Sequence, residues 1–197
     1  MANGKHTTQS GHNGQNSQNG RASGSHTTQG THQGAHTSRG GAHLSQAIPG
    51  YKGYSRSGAA TRTDRVFSEE ILSKLSEAVA TVSRIKRTTA DDLNPDVLAS
   101  LDLVEEKAES LAQEIAETAY DEHGASKNLH QGEGGQVMVL DSAIVERVGH
   151  INQALASMDI EAGVGMASED VDAVCDLLDD LKNSIKRREA ILNSRMF

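Results

Sequence analysis

The sequence predicts an all-α protein, either a helical bundle or antiparallel coiled-coil hairpins of about four helices, preceded by a long disordered N-terminal tail. Apolar side chains beyond residue 64 recur in alternating steps of four and three residues. That period keeps one side of a helix against a left-handed supercoiled partner. Only two phenylalanines and one tyrosine lie in residues 64–197, so aliphatic side chains must fill the interior, as is typical of coiled-coil packing.

Charge and glycine content divide the chain near residue 64. Residues 1–63 hold six Lys or Arg, six His and no acid, a net charge of +6, whereas residues 64–197 have a net charge of −14. Apart from Met1, alanine is the only apolar residue type before Leu44. Such a segment buries too little surface to offset an ordering cost of about 1–2 kcal/mol per residue. We therefore predict a disordered polar tail rich in Gly, His, Gln and Thr at residues 1–63 and an α-helical domain at residues 64–197.

One short stretch of the tail has a different character. Leu44, Ile48, Tyr51 and Tyr54 surround the turn-forming pair Pro49-Gly50. Two interpretations are open: a linker with a few apolar groups, or a short docking motif.

The first two helices are predicted near residues 66–87 and 95–121. Ser68 suits an N-cap for the first, and Asn94-Pro95-Asp96 places a cap, a proline and an acidic residue at the start of the second. Their seams, the apolar positions expected to face other helices, are Ile71, Leu75, Val82, Ile85, Val97, Leu101, Val104, Leu111 and Ile115. The short connection between the two helices makes them antiparallel neighbours.

The third and fourth helices are predicted near residues 141–161 and 168–194. Residues 123–136 hold four glycines and predict a long loop, after which Val137–Leu140 form a short strand or lead into the third helix, with Asp141 at its start. The seams of these helices are Ile144, Val148, Ile151, Leu155, Val174, Leu178, Leu181 and Ile185. Arg188 stands where the next apolar residue of the fourth seam is due.

The four helices have two possible closures. They can form a compact bundle within one chain, or two long hairpins can complete their cores only against other copies. The coiled-coil composition favours an oligomer.

The residues that could act as nucleophiles or ligands form no pattern that predicts a catalytic, cofactor-binding or metal site. The single cysteine, Cys175, excludes a disulfide framework, and neighbouring carboxylates raise the pKa of its thiol. Among the six tail histidines, His32 and His36 have a spacing found in metal sites, but Gly34 lies between them in a segment predicted to be disordered. The loop cluster around His123 and His130 is typical of a solvated surface. The glycine-rich Gly132–Gly135 has no Lys-Ser/Thr after it, so it is a turn and not a phosphate-binding loop.

These exclusions favour a non-enzymatic structural, assembly or interaction protein that oligomerises or docks through its heptad-patterned helices. Its partner is then itself, another protein, or both, and a virus or phage component or a leaderless-secreted protein has this build. The alternative is a nucleic-acid-associated protein or polymerase cofactor with a basic N-terminal arm. However, the six basic residues of the tail are separated and lack the dense runs that anchor to phosphates.

No targeting segment is recognisable. The longest run of large apolar residues is Val137–Leu140, far below the roughly 20 residues of a membrane span. The N-terminal residues have no apolar h-region of a secretory signal. We therefore expect a cytoplasmic protein, a virion component or a protein exported by a leaderless route.

Overall fold

The computed structural model describes residues 43–54, 57–89, 94–119, 132–161 and 166–193. Four long helices are present: α1 (Ser57–Thr89), α2 (Pro95–Ala119), α3 (Glu133–Glu161) and α4 (Ser168–Asn193). A short helical turn at 43–47 precedes them, and no strand occurs in the described ranges. The all-α prediction is confirmed. The part of the predicted disordered tail before residue 43 and most of the predicted loop lie outside the described residues.

Two helices begin earlier than the sequence predicts. α1 begins at Ser57 and not near residue 66, and α3 begins at Glu133 and not at Asp141. The physical reason is that polar residues continue the buried seams, because Thr63 and Asp141 are both fully buried. Val137–Leu140 are helical, so they lead into the third helix and do not form a strand. Residues 43–54 and 57–63, which the sequence assigned to the tail, therefore belong to the bundle.

One predicted N-cap is present in the structure and two are not. Asn94 is an N-cap as predicted, because its Oδ1 accepts a hydrogen bond from the backbone N–H of Asp96 at 3.0 Å. Ser68 and Asp141 lie inside α1 and α3 and cap neither helix.

The helices form two hairpins that lie side by side. α1 packs on α2 and α3, and α4 packs on α3 and α2. Ion pairs such as Lys86–Glu105 join the antiparallel helices α1 and α2. The pairs Arg84–Asp159 and Lys107–Asp179 join the parallel pairs α1/α3 and α2/α4. Both hairpin turns therefore lie at one end of the bundle, and the other end, which we call the base, contains the start of α1 and α3 and the end of α2 and α4.

The predicted seams form the core. Every one of the predicted seam residues is at most 5% exposed, and all belong to one apolar cluster within the single chain. The compact closure is therefore the one that the chain adopts, and burial of the seams requires no second copy. Among the described residues, Leu103 and Val139 are the large apolar side chains left exposed.

The described helices were also compared with the requirements for a membrane span. None of the described helices has the length and apolar character needed to cross a bilayer.

Candidate functional site

A buried polar network lies at the base of the bundle, and we call it the base cluster: Tyr51, Tyr54, Asp64, Asp141 and Arg188. Nε of Arg188 donates to Asp141 Oδ1 at 2.6 Å. A terminal nitrogen of the same guanidinium donates to Tyr54 Oη at 2.7 Å and to Asp64 Oδ1 at 2.5 Å. The hydroxyls of Tyr51 and Tyr54 both donate to Asp141 Oδ2, at 2.7 and 2.8 Å. The cluster therefore joins α1, α3 and α4 to the segment before α1.

The aromatic rings complete the site. The guanidinium carbon of Arg188 lies 4.3 Å from the centroid of the Phe67 ring, within the range of a cation–π contact. Tyr51 and Tyr54 meet edge to face, with ring centroids 6.2 Å apart and an interplanar angle of 85°, an arrangement that the ring quadrupoles favour. Arg188 therefore has an aromatic face beside its two carboxylate partners.

Burial sets the protonation of these groups. The pKa of Tyr51 is raised by burial and then by the charge of Asp141. The pKa of Tyr54 is raised by burial and by Asp141, against a lowering by Arg188. Burial lowers the pKa of Arg188, but Asp141, Tyr54 and Asp64 outweigh it, so the net shift is upward. Both phenols are therefore neutral donors and Arg188 is a cation at any pH near neutral.

The two tyrosines come from residues 43–54, which we call the strap. Its apolar side chains Leu44, Ile48, Tyr51 and Tyr54 are each at most 6% exposed and belong to the core. The docking motif is therefore the interpretation of this stretch that the structure supports, and its docking surface is the chain's own bundle.

The strap runs antiparallel to the first turns of α1. A Cβ at Gly50 would lie 3.7 Å from Val66 Cγ1. Further along the strap, Thr63 Oγ1 donates to the carbonyl of Gly53 at 3.0 Å. Gly50 and Gly53 have φ angles of +91° and +74°, a left-handed backbone that glycine adopts at little cost. The strap therefore runs along the first turns of α1 in the direction opposite to the helix.

A glycine of α3 makes room for the strap. A Cβ on Gly134 would lie 3.2 Å from Tyr54 Cβ, closer than an ordinary van der Waals contact. The glycine-rich stretch that the sequence predicts as a turn therefore has a packing role: Gly132 forms the turn, with a φ of +106°, and Gly134 lets the strap approach the first turn of α3.

The remaining chemical candidates are Cys175 and the histidines. Cys175 is buried, and burial, with the carboxylates Asp172, Asp179 and Asp176 and against Lys107, raises the pKa of its thiol. The described residues contain no group of three His, Cys, Asp or Glu side chains that could hold a metal ion. The tail histidines before residue 43, and His123 and His130, are not among the described residues.

The base cluster escaped the sequence analysis, although two signals pointed to it. Arg188 interrupts an apolar seam, and the two strap tyrosines stand beside aliphatic residues in an otherwise polar tail. Asp141 gave no signal because an acidic residue after an apolar run resembles a helix N-cap. Its partners are separated from it by 47 to 90 residues, so only the fold brings them together.

The outer surface of α2 and α4 is acidic, and we call it the acidic face. Its exposed carboxylates are Asp96, Asp102, Glu106, Glu109, Glu117, Glu169, Asp170, Asp172, Asp176, Asp179 and Asp180. Lys107 is the only basic residue of α2, which has a net charge of −6. Some of these acids are used within the bundle, as in the Lys107–Asp179 and Lys86–Asp102 ion pairs.

Comparison with known proteins adds no relative. No family model matches the chain, and no curated protein and no solved structure matches it significantly.

Proposed function

We propose that this chain is a non-enzymatic assembly or interaction protein, whose rigid bundle docks a basic partner through the acidic face of α2 and α4. The observation that carries the proposal is the contrast between interior and surface. The apolar seams and the base cluster are satisfied within the chain, whereas the acidic face contains most of the exposed carboxylates of the described residues. The surface that remains available to a partner is therefore the charged acidic face.

The charge distribution supports a basic partner. α2 carries seven acids against one lysine, while α1 carries six Lys or Arg against four acids. A predominantly acidic surface raises the association rate with a basic partner and repels polyanions. The helices that the sequence singled out are therefore proposed to act through their exposed sides, and not through their seams.

The fold weakens the nucleic-acid alternative. Two of the six basic residues before residue 64, Lys52 and Arg62, lie in the strap and near the start of α1. Residues 1–42 have a net charge of only +3, and an arm with few charges neutralises few phosphates. A virion component and a leaderless-secreted protein are both compatible with the proposed role.

The test compares three forms of the full chain as bait in an extract of the native source. One is the wild type. The second neutralises the acidic face with Glu106→Gln, Glu109→Gln and Asp176→Asn. The matched control neutralises exposed acids of α1 with Glu69→Gln and Glu77→Gln. Circular dichroism establishes that all three have the same helix content.

The expected result is a partner retained by the wild type and the α1 control, lost from the acidic-face variant and released at high salt. Equal retention by all three forms would contradict docking through the acidic face. Salt-sensitive capture of nucleic acid would favour the alternative.

A further inference from the structure

We propose that the outer side of α4 is a self-recognition surface, through which two copies of this chain form an antiparallel, two-fold symmetric dimer. The proposal rests on the docking function proposed above and names a second copy as the partner of the α4 part of the acidic face. The surface is a row of exposed residues on the side of α4 away from its buried seam, and we call it the α4 row: Ala173, Asp176, Asp180, Asn183, Arg187 and Ala190.

The charge of α4 is divided along its length. Residues 168–180 carry six Asp or Glu and no Lys or Arg, whereas residues 181–193 carry four Lys or Arg and one Glu. The α4 row has the same division, with Asp176 and Asp180 in the acidic half and Arg187 in the basic half. Asp176 and Arg187 are eleven positions apart, or roughly 16–17 Å along one helix. The two halves of a single α4 therefore cannot neutralise each other.

The charges at the two ends of the row are available to a partner. The ion pairs of α4 within the described chain involve Asp179, Asp180, Lys182, Lys186 and Arg188. Asp176 and Arg187 are exposed, and neither makes an ion pair in the part of the chain that the structure describes.

The spacing of the row makes it complementary to itself. Its positions follow one another in steps of three, four, three, four and three, a pattern that reads the same in both directions. Two antiparallel α4 helices centred between residues 181 and 182 therefore place Asp176 of each copy opposite Arg187 of the other, and Asp180 opposite Asn183. Ala173 lies opposite Ala190 at both ends, where small side chains allow the helices to approach. One two-fold axis relates all of these contacts and closes the assembly at two copies.

The presence of both signs in the row selects its occupant. Residues 1–42 of the same chain carry three basic residues and no acid, so they cannot pair with Arg187. A uniformly basic partner would meet a like charge at that residue. The α4 helix of a second copy in the antiparallel direction presents basic and acidic groups in the required order.

Contact through one row of side chains is small beside the roughly 800 Å² that each partner buries in a standard interface. Exposed ion pairs also contribute little stability each. The dimer is therefore a reversible one whose population depends on protein concentration. Its specificity comes from charge, because like charges placed opposite each other across an interface are strongly unfavourable.

Charge reversal in the full chain tests the proposal. Asp176→Lys and Arg187→Glu each give the two positions the same sign, so like charges face each other in a pair of identical variant chains. In a mixture of the two variants, opposite charges again face each other at both places. The matched control is Glu106→Lys on α2, which makes the same charge change as Asp176→Lys outside the α4 row.

Sedimentation equilibrium over a series of protein concentrations measures self-association at physiological salt. The average mass of the wild type should rise from that of the 20.9 kDa chain towards twice this value. Each reversed variant alone should associate about tenfold more weakly or less, and their mixture about as strongly as the wild type. Both lysine variants lower the net negative charge by two, so a general relief of repulsion would strengthen association in both. Only pairing through the row predicts a weakening in Asp176→Lys and none in Glu106→Lys.

Two results would overturn the proposal: a wild type that stays monomeric at every concentration, or a mixture that associates no more than the separate variants although circular dichroism shows wild-type helix content in both. If a reversed variant loses helix content, Asp176→Asn and Arg187→Gln replace the pair, and unchanged self-association in both would overturn the proposal. A monomeric wild type that still captures a basic partner through Glu106 and Glu109 would remove the dimer and leave the proposed docking function intact.

Discussion

Replacing Arg188 by leucine is expected to leave Asp141 as an uncompensated carboxylate in the core. Asp141 is fully buried and Arg188 is 5% exposed, so water solvates this pair very little. Breaking a buried ion pair by removing one partner costs about 3–5 kcal/mol. Two tyrosine hydroxyls still donate to Asp141 Oδ2 in the variant, which places the expected loss near the lower limit, about 3 kcal/mol.

Urea unfolding followed by far-UV circular dichroism measures this loss, with Arg187→Leu as the matched control. Arg187 is exposed on the same turn of α4, so its replacement should change the free energy of unfolding by no more than about 0.5 kcal/mol. The thermal midpoint of Arg188→Leu should fall by about 6–12 °C, given roughly 2–4 °C per kcal/mol for a chain of this size.

The double variant Asp141→Asn with Arg188→Leu decides between a lost ion pair and a general packing defect. The asparagine keeps an acceptor for the two tyrosines and removes the buried charge, so it should recover at least about 1 kcal/mol relative to Arg188→Leu. A loss below 1 kcal/mol in the single variant, or no recovery in the double variant, would refute the reasoning.

Three further perturbations test other parts of the structure. Burial raises the pKa of Tyr51 and Tyr54 above the ordinary value of 10.0, so the stability that they contribute is present below about pH 10 and is lost as the pH rises beyond it. The free energy of unfolding should therefore be lower at pH 11 than at pH 9, and this loss should be smaller in the variant Tyr51→Phe with Tyr54→Phe. An equal loss in both proteins would contradict this. Leu111→Asp places a charge in the core and should abolish cooperative unfolding at a cost of several kcal/mol. The control Glu109→Gln should change the free energy of unfolding by less than about 0.5 kcal/mol. Normal thermal unfolding of the aspartate variant would mean that the wrong side of α2 has been placed inside. Residues 1–42 carry five histidines, which have an ordinary pKa near ~6.5 and gain positive charge between pH 7.5 and 5.8. Attraction to the acidic bundle should then decrease the hydrodynamic radius of the full chain in low salt more than that of a form lacking residues 1–42. Identical responses of the two forms would exclude this attraction.

The sequence predicts the core of this bundle well because the seams are periodic. Residues such as Leu101 and Ile151 repeat in steps of three and four, and a helix with that pattern has only one side that it can bury. The approximate position of the second and fourth helices and the Asn94 cap follow from the same local rules. Local rules act within one turn of helix, which is the distance over which sequence spacing and spatial proximity coincide.

The base cluster and the strap depend on contacts that no local rule describes. The four apolar residues of the strap are spaced by four, three and three, but Pro49-Gly50 interrupts any continuous helix there. Their burial therefore becomes evident only where the pocket of three helices receives them. Thr63 and Asp141 are polar residues in seam positions, so the apolar pattern of the seam ends at them. Their burial is acceptable only because distant partners supply hydrogen bonds, and those partners depend on how the two hairpins dock.

The side-by-side arrangement of the two hairpins has a consequence for the order of folding. Hydrogen bonds within a hairpin join residues 19 to 47 positions apart, as in Lys86–Glu105 and Arg188–Asp141, whereas those between hairpins join residues 71 to 124 positions apart. Contacts between distant residues require a larger loss of chain entropy before they form.

The α1–α2 hairpin is therefore expected to form first, and during synthesis it exists before α3 and α4 have been made. Until they arrive, seam residues of α1 and α2 that face the second hairpin are in contact with water. This is the stage at which aggregation competes with folding, and the bond between Arg188 and Tyr54, which joins residues 134 positions apart, forms among the last contacts that end it.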